Sequence, residues 1–419
     1  MTAAAAPDAD GGKASPAPAP EAPHLYRWAM LFGVWLVYFS FGLTTVSMAP
    51  LVPHIVRDLA MSHAEMGFVL GGWQLVYIAT AAPCGSVIDR WGPRSGLLLS
   101  ALFIASSAAL RSQASDFWTL LLAVGLFGIG GPMVSIGAPK LMSLWFRGPE
   151  RGFAMGIYVT GPAVGGIVSY SLTNSVLMPA FGQDWRNVLL LFAGVALACG
   201  AVWLALSTHP RARAIERELK QQPKERQLAV FAKLLAMPSV QLMLAMSVGI
   251  FFFNHGLNNW LPELLRHSGM SAAEAGIWAA LPTAVGVAGA LIIPRLATPE
   301  RRVAILAGLF AAAGLAALLL LTEVPAAMTV GLVAQGIARS SMMTVMVLLL
   351  VEMKDVGSRY AGAASGLFFS AAEVGGVLGP LTLGAVYDAT GAFEPALMLL
   401  TAIMAGLVLL LLPLRRRLA

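Results

Sequence analysis

Stretches of about twenty apolar residues recur along the chain, separated by short polar breaks. A helix needs about 20 such residues to cross the ~30 Å hydrocarbon core of a bilayer. The runs predict twelve spans: 27–51, 65–88, 95–113, 117–144, 153–178, 187–206, 238–262, 273–296, 303–322, 326–351, 361–386 and 394–413. Barrel strands would instead alternate over segments of about ten residues, and that pattern is absent. Gly and Pro sit inside several runs, which membrane helices tolerate because their neighbours re-satisfy the freed backbone groups. The pattern predicts an all-α integral membrane protein of twelve transmembrane helices.

Composition strengthens this reading. Of 419 residues, 58% are hydrophobic and 11% charged, against about 25% charged in soluble proteins. The first 23 residues form an Ala/Pro-rich tail without the basic start and apolar core of a signal peptide. Residues 1–26 are expected to be a disordered cytoplasmic tail. The net charge of +6 does not point to nucleic acid, because its distribution follows the membrane. With the amino terminus inside, 21 of the 27 Lys and Arg residues fall in cytoplasmic segments. The outer loops hold Arg57, Arg111, Arg186 and Arg266, which leaves Lys140 and Arg339 within spans. Under the positive-inside rule both termini are expected in the cytoplasm of a bacterial inner membrane. Cys84 and Cys199 fall inside spans and read as packing residues.

A polar linker, 207–237, divides the chain into six-helix halves, 27–206 and 238–413, followed by a basic tail, 414–419. The halves repeat one another. "VGLFGIGGPM" (124–133) aligns with "VGLVAQGIAR" (330–339), and "GFAMGIYVTGPAVGG" (152–166) with "GLFFSAAEVGGVLGP" (366–380). Duplicated halves of this kind rock about a site at the membrane midplane.

The loop after span two reads "GSVIDRWGPRSG". Its glycines allow a tight turn and close helix approach, Asp89 can pair across a helix end, and the arginines stay on one side of the membrane. Gly85, Asp89, Arg90, Gly92 and Arg94 match the Gly-x-x-x-Asp-Arg-x-Gly-x-Arg signature of the major facilitator superfamily, which the chain therefore resembles. The resemblance implies two pseudo-symmetric six-helix halves and a gating role for these residues, latching the halves in the outward-open state. The second-half counterpart has Pro294 where the acid would stand but keeps Arg295. Span five carries Gly161, Pro162, Gly165 and Gly166, a notched, kinked face suited to close packing. It is similar to the Gly-Pro-x-x-Gly-Gly motif associated with antiporters, and its repeat contains Gly375, Gly379 and Pro380. The first half also resembles the cyanate-permease-like branch. The early span-four arginine of drug–proton antiporters is missing here.

Arg339 is the one charged side chain between Val324 and Val351. It lies at least about 18 Å from either end at ~1.5 Å per residue. A charge at that depth costs from about 2.5 to above 10 kcal/mol. The resemblance implies that spans one, four, seven and ten line the central cavity. Arg339 then reads as an anchor for an anion, which its forked guanidinium suits, or as an interhelical ion pair. Gln335 lies one turn away on the same face. Glu373, the most interior acid of the second half, reads as a proton-coupling group or as the salt-bridge partner of Arg339. In "FNHGLNNW", Asn254 and Asn258 share one face, and His255 and Asn259 the next. They suit substrate contact, interhelical hydrogen bonds or, for His255, proton exchange. Lys140 can snorkel to the cytoplasmic interface and belong to a gate. Thr44 and Tyr77 add uncharged polar groups.

No metal-ligand cluster, phosphate-cradling loop or nucleophile–base arrangement appears, so neither a cofactor nor an enzymatic activity is expected. The expectation is a monomeric secondary active transporter, with a small-molecule substrate, a proton or counter-solute, and the lipid bilayer as partners. A small organic or inorganic anion such as a monocarboxylate is the expected cargo. Export of amphipathic compounds is the alternative within transport. A receptor or scaffold on the same fold is the alternative of another class.

Overall fold

The computed structural model describes residues 24–208, 228–322, 324–353 and 356–418. Of the tail expected to be disordered, residues 1–23 lie outside the described residues, whereas His24–Tyr26 already belong to the first helix; residues 209–227 of the linker also lie outside. Among the described residues, twelve helices are long and apolar enough to cross a membrane. They are α1 (Tyr26–Asp58), α2 (His63–Trp91), α3 (Pro93–Ser112), α4 (Phe117–Trp145), α5 (Glu150–Ala180) and α6 (Trp185–Ser207). The second half comprises α7 (Pro238–His267), α8 (Ala272–Leu296), α9 (Arg302–Leu319), α10 (Pro325–Val351), α11 (Gly362–Thr390) and α12 (Glu394–Arg416).

Local chemistry sets where these helices begin and break. Ser62 with Glu65, Asp116 with Thr119, and Ser271 with Glu274 form capping boxes that start α2, α4 and α8. Each box satisfies backbone N–H groups that a helix start leaves open. The first span is interrupted. Its α-helix ends at Thr45, a 3₁₀ turn follows at Ala49–Leu51, and a short helix resumes at Val52. Pro50 and Pro53, which cannot donate a backbone hydrogen bond, stand at that break. The fifth span breaks at Val159, just ahead of Pro162.

Packing reproduces the sequence repeat. In the first half, α1 packs on α5 and α6, α4 on α2 and α3, and α3 on α6. In the second half, α7 packs on α11 and α12, α10 on α8 and α9, and α9 on α12. Each pair maps onto its counterpart when six is added to the helix number. Between the halves the main seams are α2 against α11 and α5 against α8, which exchange under the same operation.

Small residues make the close seams possible. A Cβ at Gly161 or Gly165 would strike the backbone of α1, and one at Gly375 or Gly379 would strike that of α7. The motif containing Pro162 and its repeat containing Pro380 thus pack equivalent pairs, α1–α5 and α7–α11. Gly166 is looser, with side chains of Val46 and Thr283 about 3.8–4.0 Å from a built Cβ.

With twelve crossings, the described chain starts and ends on one side of the bundle, here called the terminal side. The halves meet on the opposite, far side. Asp388 near the end of α11 accepts hydrogen bonds from the backbone N–H groups of His63 (3.1 Å) and Ala64 (2.7 Å) at the start of α2. It also contacts His63 Nδ1 at 2.9 Å. Tyr170 on α5 donates to the Asn258 carbonyl on α7 at 2.8 Å. Cβ atoms at Gly67, Gly276 or Gly384 would collide with backbone of the opposing half. On the terminal side, a Cβ at Gly152, Gly156, Gly362 or Gly366 would meet nothing within 4 Å. The molecule is closed on the far side and open on the terminal side.

Candidate functional site

Arg339 stands in the middle of α10 and points between the halves. One of its terminal nitrogens donates to Asn258 Oδ1 on α7 at 2.6 Å, and the other to Thr283 Oγ1 on α8 at 3.4 Å. No carboxylate pairs with it among the described residues; its partners are neutral oxygens. These bonds hold the guanidinium without cancelling its charge, and a charge in a low-dielectric setting attracts an anion far more strongly than in water.

Two cavities meet at Arg339. One, of about 550 Å³, is lined by α7, α10 and α11 and includes Asn254, His255, Asn258 and Ser340. The other, of about 320 Å³, lies among α1, α2, α5, α7, α8 and α10 and shares His255, Asn258, Arg339 and Ser340. Both volumes are in the range of small-molecule sites, about 300–1,000 Å³.

Beside the cavities, a polar cluster bridges the halves. Gln74 of α2 donates from Nε2 to His255 Nδ1 of α7 at 3.1 Å and to the Gly376 carbonyl of α11 at 3.4 Å. Glu373 stands over the same glycine. A Cβ on Gly376 would come within 2.9 Å of Glu373 Oε2 and 3.2 Å of Gln74 Nε2. Glu373 Oε2 and Gln74 Oε1 are buried without hydrogen-bond partners.

The remaining residues singled out from sequence separate into groups. Asn254, Asn258 and His255 line the site with Arg339. The alternative of an Arg339–Glu373 salt bridge does not hold in this conformation, because Glu373 instead shares Gly376 with Gln74. Gln335 is fully buried with neither amide atom paired, and it lines neither cavity. Thr44 is also fully buried, and its carbonyl accepts from Arg111 at 3.1 Å. Thr45, one residue and 100° further round the helix, lines the smaller cavity instead. Tyr77 packs edge-on to Trp73 and across Gly131, outside both cavities.

The loop-motif residues lie on the terminal side. Asp89 accepts from Lys140 Nζ at 2.6 Å, a pair within the first half. Gly92 has φ +91°, a conformation few other residues adopt. A Cβ on Gly85 would meet only Ile136, at 3.8 Å. Arg94 donates to the Ser207 carbonyl at 3.2 Å, and Trp203 donates to the Arg94 carbonyl at 3.1 Å, tying α3 to α6. Arg90 is exposed.

One assignment is overturned. Arg111, read as an outer-loop residue, is 1% exposed in the last turn of α3. It donates to the Thr44 carbonyl and, at 3.4 Å, to Ser47 Oγ, with its guanidinium 5.2 Å from the Phe127 ring centre. At the break in α1 the Thr44 carbonyl accepts from Arg111 as well as from Ser47, and no local pattern in α3 signals this.

Gln74 was also missed as a neighbour of Glu373, since the two are brought together over Gly376 by the seam between α2 and α11. Its sequence signal was a lone amide within a span.

The Major Facilitator Superfamily model matches residues 34–322. Among curated proteins, the chain is 23% identical over 401 residues to a "Probable sulfoacetate transporter" of Cupriavidus necator, covering 90% of this chain and 91% of that protein. It is 24% identical to a "Probable galactarate/D-glucarate transporter" of Bacillus subtilis, covering 90% and 89%. Its fold matches the crystal structure of a bacterial homologue of the human lysosomal transporter Spinster, described as inward-facing and occupied. That match has a TM-score of 0.74 at 17% identity, covering 94% of this chain and 98% of the other. The nucleoside transporter NupG aligns with a TM-score of 0.78 at 14% identity, covering 93% and 99%. Twelve apolar helices in two repeating halves, with this match across most of the first half and into the second, establish that the chain belongs to the major facilitator superfamily.

Proposed function

We propose that this transporter moves a small organic or inorganic anion, such as a monocarboxylate, by proton symport or exchange. The observation that carries the reading is Arg339, a half-buried cation with no carboxylate partner among the described residues, at the junction of two cavities. A planar fork held by Asn258 and Thr283 is pre-organised for a carboxylate or sulfonate. The names of the relatives, a sulfoacetate and a sugar-acid transporter, agree with an anionic cargo.

In this reading the terminal side is cytoplasmic. Arg90, Arg94, Arg147, Arg151, Arg301 and Arg302 lie at helix ends on that side, as the positive-inside rule requires of an inner-membrane protein. The protein acts as a monomer, with the lipid bilayer, substrate and proton or counter-solute as its partners. Asp89, Arg90, Arg94, Lys140 and the glycines Gly85 and Gly92 form the cytoplasmic gate. In the open state described here, Lys140 occupies Asp89.

Glu373 is the proton-coupling group. When ionised it leaves a buried charge beside Gln74; when protonated it can donate a hydrogen bond to a neighbouring acceptor. Because Gln74 also binds His255 and α11, a proton on Glu373 changes the bonding across the seam that rearranges during alternation.

Uptake and exchange measured in proteoliposomes test both assignments. Arg339→Gln should abolish anion transport while leaving protein in the membrane, and retained uptake at unchanged affinity would end the anchor assignment. Glu373→Gln should spare exchange but remove pH-driven accumulation. Accumulation unaltered by that change would exclude Glu373 from coupling.

A further inference from the structure

The two cavities differ sharply in character between the Arg339 junction and their outer ends. In the larger one, the polar groups gather at one end: Asn254, His255, Asn258, Arg339 and Ser340. Beyond them the lining is Phe251, Met343, Val347, Leu348 and Phe369, with Thr344 as the lone hydroxyl. Met343 and Val347 follow Arg339 along one face of α10, so the apolar wall begins about 6 Å away and continues past about 12 Å. The smaller cavity adds Phe41, Val46, Trp73, Pro162, Val287 and Leu291 as apolar lining, beside the polar Thr45, Thr160, Tyr170, Asn259 and Thr283.

Of the lining hydroxyls, four are committed as donors to their own helices, Tyr170 donates to the Asn258 carbonyl across the seam, and Thr283 accepts from Arg339. Thr45 donates to the Phe41 carbonyl at 2.7 Å, Thr160 to Ile157 at 2.7 Å, Ser340 to Ile337 at 3.1 Å and Thr344 to Ser340 at 3.5 Å. Aromatic rings cluster at the junction of the two cavities. Phe251 lies 5.2 Å and Trp73 6.1 Å from the His255 ring centre, and Phe41 lies 6.2 Å from Trp73.

We infer that the substrate is a monoanion with an apolar, aromatic or alkyl body, and not a polyhydroxylated acid. This inference rests on the anion-anchor reading of Arg339 and adds the class of body attached to the anion. A sugar acid seated on Arg339 would lay successive hydroxyls along Met343, Phe251 and Phe369, where they would lose water and find no partner. An alkyl or aryl body of the same length would cover apolar surface there instead. The preference is thus opposite to that in the name of the galactarate/D-glucarate transporter it resembles, whose substrates are polyhydroxylated.

The experiment compares hexanoate with gluconate, which share a carbon skeleton, and phenylacetate with galacturonate. Acetate serves as a probe of the anchor alone. Each is titrated against the purified full-length protein by calorimetry, as wild type, Arg339→Gln and Met343→Gln. We expect hexanoate and phenylacetate to bind over ~100-fold more tightly than their hydroxylated counterparts, since one hydroxyl alone separates substrates by up to about that factor. Arg339→Gln should remove binding of every probe. Met343→Gln should weaken hexanoate and phenylacetate about 10-fold, the scale of a lost methylene contact, without changing acetate. Equal or tighter binding of gluconate and galacturonate, still lost in Arg339→Gln, would overturn the apolar-body inference while leaving the anion anchor intact. Binding that survives Arg339→Gln would overturn the anchor itself, and this inference with it.

Discussion

Two arginines inside the helix bundle, Arg339 half-buried and Arg111 buried, show how differently one side chain can be used. Arg339 is held by an amide and a hydroxyl beside open cavities, so its charge is available. Arg111 is closed in by a carbonyl, a hydroxyl and an aromatic face, and its task is to complete the broken α1. Replacing Arg339 with Gln should raise the Kd for the anion by over ~30-fold, the low end of the 2–5 kcal/mol attached to a buried charge pair. Titration of the purified variant measures this. Replacing Arg111 with Met should leave anion affinity unchanged but lower stability by about 1–3 kcal/mol, because the hydrogen bonds that tie α3 to the Thr44 carbonyl and the Ser47 hydroxyl are lost. A drop in Tm in detergent with unaltered Kd is the expected result. An affinity loss matching that of Arg339→Gln would contradict the division. In sequence, Arg339 was conspicuous because its neighbours are apolar, whereas Arg111 hid beside Ser112 and Gln113 at a span end.

At the scale of elements, the seams decide which side of the molecule is shut. Asp388 caps the first turn of α2 from the opposite half, while glycines on the terminal side stand free. Closure of the terminal side requires those glycines to play the part that Gly67, Gly276 and Gly384 play on the far side. Asp388→Ala should therefore favour the far-side-open state about 5- to 30-fold, as expected for loss of about 1–2 kcal/mol. Gly366→Leu should act in the opposite direction by obstructing closure of the terminal side. The readout is labelling of a cysteine at Thr45 by an impermeant reagent added from the far side. The native Cys84 and Cys199, both buried, are replaced by serine in that background. Faster labelling in Asp388→Ala and slower labelling in Gly366→Leu is the expected pair; equal rates would remove these contacts from the gate.

For the molecule as a whole, the proposed gate makes charge pairs on the terminal side the test of the balance between states. Asp89 is bound by Lys140 within its own half, so it is unavailable to the other half while this side is open. Lys140→Met should release it and favour terminal-side closure, while Asp89→Asn should favour opening. Distance measurements by spin labels across α4 and α10 would register these opposite shifts, and shifts in the same direction would exclude competition for Asp89. The second half has a different device. Arg302 donates to both oxygens of Glu352, at 2.5 and 2.9 Å, joining α9 to the end of α10. Those hydrogen bonds hold the Glu352 carboxyl below its ordinary range. A depressed carboxylate contributes its stability fully above the unfolded-state pKa, and the contribution disappears as pH falls through the folded value. Thermal melts between neutral pH and about pH 3 should show a larger stability loss in wild type than in Glu352→Gln, where this one contribution is missing.

The sequence by itself determined the twelve crossings, the duplicated halves and the side on which basic residues gather. Each is imposed by the bilayer: span length by its thickness, and the placement of charge by the cost of burying it. It also marked Arg339, Asn254, Asn258 and His255, because polar groups are conspicuous among apolar neighbours. Which way each helix turns was decided only by tertiary packing. Lipid-facing and core-facing positions are both apolar, so no amphipathic stripe indicates the buried face. That is why Thr44 and Thr45 exchanged roles, why Gln335 fell outside the cavities, and why Glu373 met Gln74 instead of Arg339. These outcomes depend on contacts between helices far apart in the chain, such as α2 with α11, and on the glycines that allow those helices to approach.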